Sequence, residues 1–153
     1  TYEFDLMGMY QPLDTLGPYN NLQINDEGIA ARTVSKLLYD TDYDDAKTQA
    51  MNLPAGARGY AFQRQDGSYI YAVWARTMTD LSENAFATYS FPASFNMPLV
   101  TKYEWDWGQT NLTNNVASQN IFLNARPVFF TDANLPPACA LSAFASNSRA
   151  VAT

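Results

Sequence analysis

The feature that most constrains the fold is the alternation of outward and inward side chains along residues 58–131. The first alternating segment, Arg58 to Arg64, places Tyr60 and Phe62 on one face of a strand. Asp66-Gly67 is a strong hairpin-turn signal. The returning segment, 69–77, carries apolar residues on both faces, which predicts a central strand covered on both sides.

Four further strands are predicted after this hairpin. They span 85–91, 99–105, 119–125 and 128–131. Residues 106–118 are polar and are predicted to form a loop, and Pro127 marks an edge or a bulge. Six short strands joined by hairpin-like turns predict a mainly β fold, an antiparallel β-sandwich with one packed α-helix.

The one helix is predicted near residues 27–39. Ala30, Val34, Leu37 and Leu38 recur at helical spacing and form an apolar stripe. A side chain at position 25 or 26 is suited to cap its first turn. Because only one stripe is apolar, the helix is expected to pack against the sandwich.

Three regions follow from this pattern. Residues 1–53 form an N-terminal segment whose amphipathic helix packs on the sandwich, 54–133 form the β-sandwich, and 134–153 form a linker-like tail rich in Ala and Ser. The first residues lack both Met and the pattern of a signal peptide, so we expect a mature product or a domain of a longer chain.

Charge and residue types exclude several functions. The net charge of −6 argues against nucleic acid and against an anionic membrane surface as partners. The absence of histidine removes His-dependent nucleophiles and His-ligated metals. No segment reaches the roughly 18–20 apolar residues of a membrane span. The single cysteine, Cys139, cannot form an internal disulfide. We therefore predict no cofactor and no bound transition metal.

Two groups of acidic residues are candidates for a chemical site. The alternating acids of the segment Asp40 to Asp45 could ligate calcium, but the glycine and glutamate of an EF-hand are missing, so a solvated loop is favoured. Glu104 and Asp106 are two residues apart, roughly 7 Å along a strand, a spacing compatible with glycoside hydrolysis. A solvated strand face is favoured for this pair as well, and no catalysis is predicted.

The aromatic content favours carbohydrate binding, because a flat ring stacks on a pyranose while amides take its hydroxyls. The chain has 9 Phe, 10 Tyr and 3 Trp. The candidate carbohydrate-binding site centres on Trp107, with Trp105 and Tyr103 in support and with Gln109 and Asn111 as nearby amides. Alternatives stay open: Trp107 can fold onto the sandwich edge, and Trp105 and Tyr103 can belong to the core.

Other aromatic residues are expected mainly inside the fold. Trp74 is predicted to be buried, since its strand is apolar on both faces. Tyr69 and Tyr71 can form either an exposed platform or part of the core.

Several segments, taken in order, resemble the C-terminal part of bacterial glycoside hydrolases, in which a (β/α)8 barrel precedes a β-sandwich. The resemblance covers residues 7–131. The segments that carry it are MGMY at 7–10, the helical ARTVSKLL, LPAGARGYAFQRQDGSYIYAVWA, ATYSFP and ARPVFF. It implies that the helix corresponds to the last barrel helix, that the catalytic barrel strands are absent, and that the chain is an ancillary domain.

The resulting hypothesis is a non-catalytic β-sandwich module of a carbohydrate-active enzyme, secreted or at a bacterial cell surface, with weak polysaccharide binding. Its expected partners are a polysaccharide or the parent enzyme's catalytic domain, and a homo-oligomer is possible. The alternatives are a purely structural support for the barrel and a self-assembling filament or surface protein without sugar binding. An independent enzyme is the least favoured reading.

Overall fold

The computed structural model describes residues 24–76, 84–107 and 113–133. Two helices, eight strands and one 3₁₀ turn lie within these ranges. In chain order they are α1 (Asp26–Leu38), β1 (Thr41–Tyr43), α2 (Asp45–Ala50), β2 (Ala57–Arg64), β3 (Tyr69–Ala75), β4 (Phe86–Tyr89), the 3₁₀ turn (Ala93–Phe95), β5 (Leu99–Tyr103), β6 (Thr113–Ala117), β7 (Ile121–Asn124) and β8 (Val128–Asp132).

The strands form two antiparallel sheets. The larger sheet has the order β1-β2-β3-β8-β5-β6, and the smaller one pairs β4 with β7. The predicted mainly β, sandwich-like fold with one main helix is confirmed. The start of the predicted N-terminal segment, residues 1–23, and the predicted tail at 134–153 lie outside the described residues.

The hairpin between β2 and β3 forms as predicted. Gly67 has a φ of 81°, a left-handed conformation that suits glycine. The amide of Arg64 donates to the carbonyl of Ser68 at 2.8 Å, which closes the loop. This turn sets the register that opposes Tyr60 to Ala72 and Phe62 to Ile70.

One face of the large sheet, here called the inner face, packs against the β4–β7 sheet. Tyr71, Tyr89, Phe91 and Phe130 meet in this core, mostly edge to face, with neighbouring ring centroids 4.9–5.6 Å apart. The Tyr89 hydroxyl donates to the carbonyl of Met51 at 3.0 Å. Since burial of large rings contributes most of the core energy, this packing holds the two sheets together.

The opposite face of the large sheet, here called the helix-side face, is partly covered by α1. Leu37 of the helix packs with a group of sheet and loop residues: Ile70, Ala72, Tyr103, Trp107 and Phe129. Asn25 caps the helix, its side chain accepting from the Gly28 amide at 3.0 Å. The predicted stripe needs a correction, because Val34 is 43% exposed while Thr33 is fully buried. The smaller Thr33 lies one turn before Leu37, and the buried positions of the helix are Gly28, Thr33 and Leu37.

Two predicted loops contain regular structure instead. Residues 113–117, expected within a polar loop, form the edge strand β6 and pair with β5. The acidic segment after α1 forms β1 and begins α2, and Asp44 caps that helix by accepting from the Lys47 amide at 2.8 Å. The two strands, β1 and β6, are short and mostly polar, so neither shows the apolar alternation that predicts a strand.

Candidate functional site

Trp107 and Tyr103 lie inside the molecule. Tyr103 is fully buried and Trp107 is 5% exposed, and their rings meet edge to face at 5.2 Å. The ammonium of Lys36 on α1 lies 5.5 Å from the Trp107 ring centroid. Of the open alternatives, the structure therefore shows Trp107 folded onto the sheet and Tyr103 in the core, where neither ring offers a face to a sugar.

Trp105, in contrast to Trp107, is only half-buried. Strand β5 ends at Tyr103, two residues earlier than predicted, and the chain turns so that the Trp107 amide donates to the Glu104 carbonyl at 3.1 Å. This turn leaves Trp105 half-buried at the wall of a groove. Gln109 and Asn111 lie outside the described residues.

The groove beside Trp105, here called the Trp105 groove, has a volume of about 660 Å³. It lies between the start of α1, the start of β4 and the end of β7. Its lining combines aromatic, amide, carboxylate and guanidinium groups: Asp26, Glu27, Ala30, Asn84, Phe86, Trp105, Asn124, Ala125, Arg126 and Pro127. A few convergent polar groups around apolar rings are typical of a small-molecule or oligosaccharide site.

The turn after β7 positions the cation of the groove. The Arg126 amide donates to the side-chain oxygen of Asn124 at 2.9 Å, and this local bond orients the residue before Pro127. The Arg126 guanidinium lies over the Trp105 ring, 5.3 Å from its centroid. A cation over an indole holds the ring in place and reinforces its orientation in the groove wall.

The first turn of α1 supplies the anions of the groove. Asp26 and Glu27 are exposed residues of this turn, where the helix dipole favours negative charge. Their carboxylates are acceptors for hydroxyl groups. Because Asn84 and Asn124 also line the groove, it can both donate to and accept from a polyhydroxylated ligand.

An exposed pair of phenylalanines extends the aromatic surface from the groove. Phe86 on β4 and Phe122 on β7 are 67% and 63% exposed. Their rings stack with centroids 5.5 Å apart and an interplanar angle of 27°. Since Phe86 also lines the groove, the aromatic surface continues from Trp105 onto the outer face of the small sheet.

The acid pair considered from the sequence does not stand on one strand. Glu104 follows the end of β5, and its carboxylate lies 2.7 Å from the Lys102 ammonium. Asp106 lies in the turn beyond it. Across residues 24–76, 84–107 and 113–133, no three Asp, Glu or Cys side chains are grouped closely enough to hold a metal ion.

Trp74 needs a correction, because it is half-buried rather than buried. Its strand is central in the sheet, but α1 covers only part of the helix-side face, and the Trp74 ring packs on Tyr60 at 5.8 Å. Tyr71 belongs to the core. Tyr69 is half-buried, and its hydroxyl donates to Asp44 at 2.8 Å.

Most of the groove was not found from sequence. Asp26 and Glu27 precede Asn124 and Arg126 by about a hundred residues along the chain, and only the fold brings the two pairs together. The sequence offers a local indication for two of them. Asn124 and Arg126 lie where a strand ends, just before Pro127, and side chains at such a position can turn outward.

No known family model matches the chain, and no curated protein sequence matches it. In the described part of the chain, no helix is both long and apolar enough to cross a membrane.

Proposed function

We propose that this chain is a non-catalytic β-sandwich module of a carbohydrate-active enzyme and that it binds polysaccharide weakly. The observation that carries the proposal is the Trp105 groove, whose lining combines aromatic rings with amide and carboxylate groups. The resemblance to the C-terminal part of bacterial glycoside hydrolases supports the same context. On the same resemblance, we propose a secreted or cell-surface bacterial enzyme as the parent protein.

In this proposal a pyranose stacks on Trp105, on the face away from the Arg126 guanidinium. Asp26, Glu27 and Asn124 then take the hydroxyl groups at the ring's edge. One stacking contact contributes on the order of 1–2 kcal/mol, by analogy with other aromatic contacts. Dissociation constants between millimolar and micromolar are therefore expected. Both charge signs line the groove, which favours a neutral glycan over a strongly charged one.

The test is affinity electrophoresis in gels that contain soluble neutral glucans or xylans. The wild type should be retarded, and Trp105→Ala should lose about tenfold or more of its affinity, because it removes the stacking surface. Tyr39→Ala is the matched control, since Tyr39 is 72% exposed and lies outside the groove lining. Equal retardation of wild type and Trp105→Ala would place the site elsewhere.

A structural or self-assembling role is the second candidate. It is favoured by the part of the helix-side face that α1 leaves uncovered, where Tyr43 and Tyr60 are 52% and 41% exposed. Exposed aromatic surface of this kind is common at protein interfaces. Sedimentation velocity over a range of concentrations separates the two: a stable oligomer that no glycan retards favours the structural role.

A further inference from the structure

A second cavity lies at the free edge of β2. Strand β1 pairs only with Phe62 to Arg64, so the first half of β2 has no strand beside it, among the described residues, on the side away from β3. The cavity there has a volume of about 370 Å³. It is lined by Thr48, Leu53, Pro54, Ala55, Ala57, Arg58, Gly59, Tyr60 and Arg76, and it is here called the Arg58 cavity.

Two exposed arginines give this cavity its charge. Arg58 lies opposite Trp74 in the sheet register, and the Arg76 amide continues the ladder by donating to Gly56 at 2.8 Å. Arg58 and Arg76 are therefore diagonal neighbours on the helix-side face, with their α-carbons roughly 7–8 Å apart. Within residues 24–76, 84–107 and 113–133, neither guanidinium has an ion-pair partner and no acidic residue lines the cavity.

This local charge contrasts with the whole chain. The net charge is −6, yet two of its 9 basic residues line this cavity, and none of the described residues that line it is acidic. At physiological ionic strength, charges separated by more than about 8 Å are largely screened. An anion in the cavity therefore responds mainly to the two guanidinium groups, each of which can form paired hydrogen bonds to a carboxylate.

An aromatic surface adjoins the two arginines. Tyr60 lines the cavity and is 41% exposed, and its ring packs against that of Trp74 at 5.8 Å. The side chains of Arg58, Tyr60 and Trp74 all lie on the helix-side face of neighbouring strands. An acidic sugar offers both a carboxylate and an apolar ring face. An arginine pair beside an exposed aromatic ring is therefore suited to bind it.

We propose that the Arg58 cavity binds a uronic acid residue of an acidic polysaccharide. The sugar carboxylate is held by Arg58 and Arg76, and the pyranose ring lies against Tyr60. The site is separate from the Trp105 groove, which carries acids of its own and takes a neutral sugar. The choice of a polysaccharide rests on the proposed function, whereas the preference for a carboxylate rests on the cavity itself.

The test is isothermal titration calorimetry of the full chain with a defined oligogalacturonate and, in parallel, with a neutral xylo-oligosaccharide of equal length. We expect Arg58→Gln and Arg76→Gln each to weaken oligogalacturonate binding about tenfold or more, since each loses a charge-assisted contact. Neither change should alter binding of the neutral oligosaccharide. Arg32→Gln, an exposed arginine on α1 outside the cavity, is the matched control and should bind as the wild type does.

Two further arms make failure visible. Binding should weaken as the salt concentration rises, and poly-glutamate of similar charge should bind at least tenfold less tightly than the oligogalacturonate. No binding of oligogalacturonate, wild-type binding by both arginine variants, or equal binding of poly-glutamate would overturn the proposal. Loss of neutral binding in Trp105→Ala with oligogalacturonate binding retained would show the two sites to be independent. Should one arginine variant fail to fold, as judged by circular dichroism, the other carries the test.

Discussion

The helix-side face of the large sheet has two halves with similar aromatic content and different surroundings. In the half under α1, Tyr103, Trp107 and Phe129 are buried to 5% exposure or less. In the other half, Tyr43 and Tyr60 remain 52% and 41% exposed and Trp74 is half-buried. The two halves differ because α1 covers one of them and leaves the other open. Strand periodicity therefore predicts on which face a residue lies, but not how exposed it is.

The largest expected effect is the difference in unfolding free energy between a substitution in the covered half and one in the uncovered half. Trp107→Ala leaves a cavity beneath α1 and should lower the free energy of unfolding by about 3–5 kcal/mol. Tyr60→Ala removes a partly exposed ring and should cost less than about 1 kcal/mol. Urea unfolding followed by circular dichroism measures both. Similar costs for the two variants would contradict the distinction between the covered and uncovered halves.

A smaller effect extends the comparison to the inner face. Tyr89→Phe deletes the buried hydroxyl that donates to Met51 and should cost about 1–2 kcal/mol, because the carbonyl is left without its donor. Tyr60→Phe is the control, since its ring lies on the half that α1 leaves open. In both thermal and urea unfolding, the Tyr89→Phe variant should be less stable than the Tyr60→Phe variant. The opposite ranking would show that the hydroxyl does not help to hold the sheets together.

Two buried tyrosines of the inner face, Tyr71 and Tyr89, should make the stability of the fold decrease at high pH. Burial raises the pKa of Tyr71 and of Tyr89 above the ordinary value of 10. Their contribution is therefore fully present below pH 10 and is lost as the pH rises toward the pKa of the folded state. The free energy of unfolding should decrease between about pH 10 and pH 12, and less steeply in Tyr89→Phe. An unchanged slope in that variant would contradict burial of this hydroxyl.

The smallest effect concerns Asp44, at the rim of the inner face. Hydrogen bonds from the Lys47 amide and the Tyr69 hydroxyl lower the pKa of Asp44. Its stabilisation is therefore present above the unfolded-state pKa and is lost as the pH falls from about 4 toward 2. Asp44→Asn should reduce this acid dependence, whereas Asp42→Asn on β1 should preserve it. An acid dependence identical in both variants would remove Asp44 as the cause.

Sequence reasoning succeeded where apolar alternation was strong. The hairpin at Asp66-Gly67, the central strand β3, the helix α1 and the sandwich-like architecture all follow from local patterns. Strand β6 was missed because its sequence, Thr-Asn-Asn-Val-Ala, carries little apolar alternation at the sheet edge. Strand β1 was missed because three residues are too few to show a period.

The candidate site was predicted only in part. Sequence reasoning selected the segment holding Trp105 and Trp107, but it centred the site on Trp107, which is buried, and not on the half-buried Trp105. The turn after Tyr103 decides this, and it depends on the fit of Trp107 beneath α1, a tertiary contact. Arg126, Asp26 and Glu27 join Trp105 only through the fold, so no local pattern could have identified them.

The most direct measurement follows the indole N–H signals of the protein by NMR during titration with a neutral oligosaccharide. The chain has 3 Trp, so there are three such signals, and Trp→Phe variants assign them. The Trp105 signal should shift with ligand concentration, while the signals of Trp107 and Trp74 should stay in place. A shift of the Trp107 signal with Trp105 unmoved, or no shift of any of the three, would contradict the proposed site.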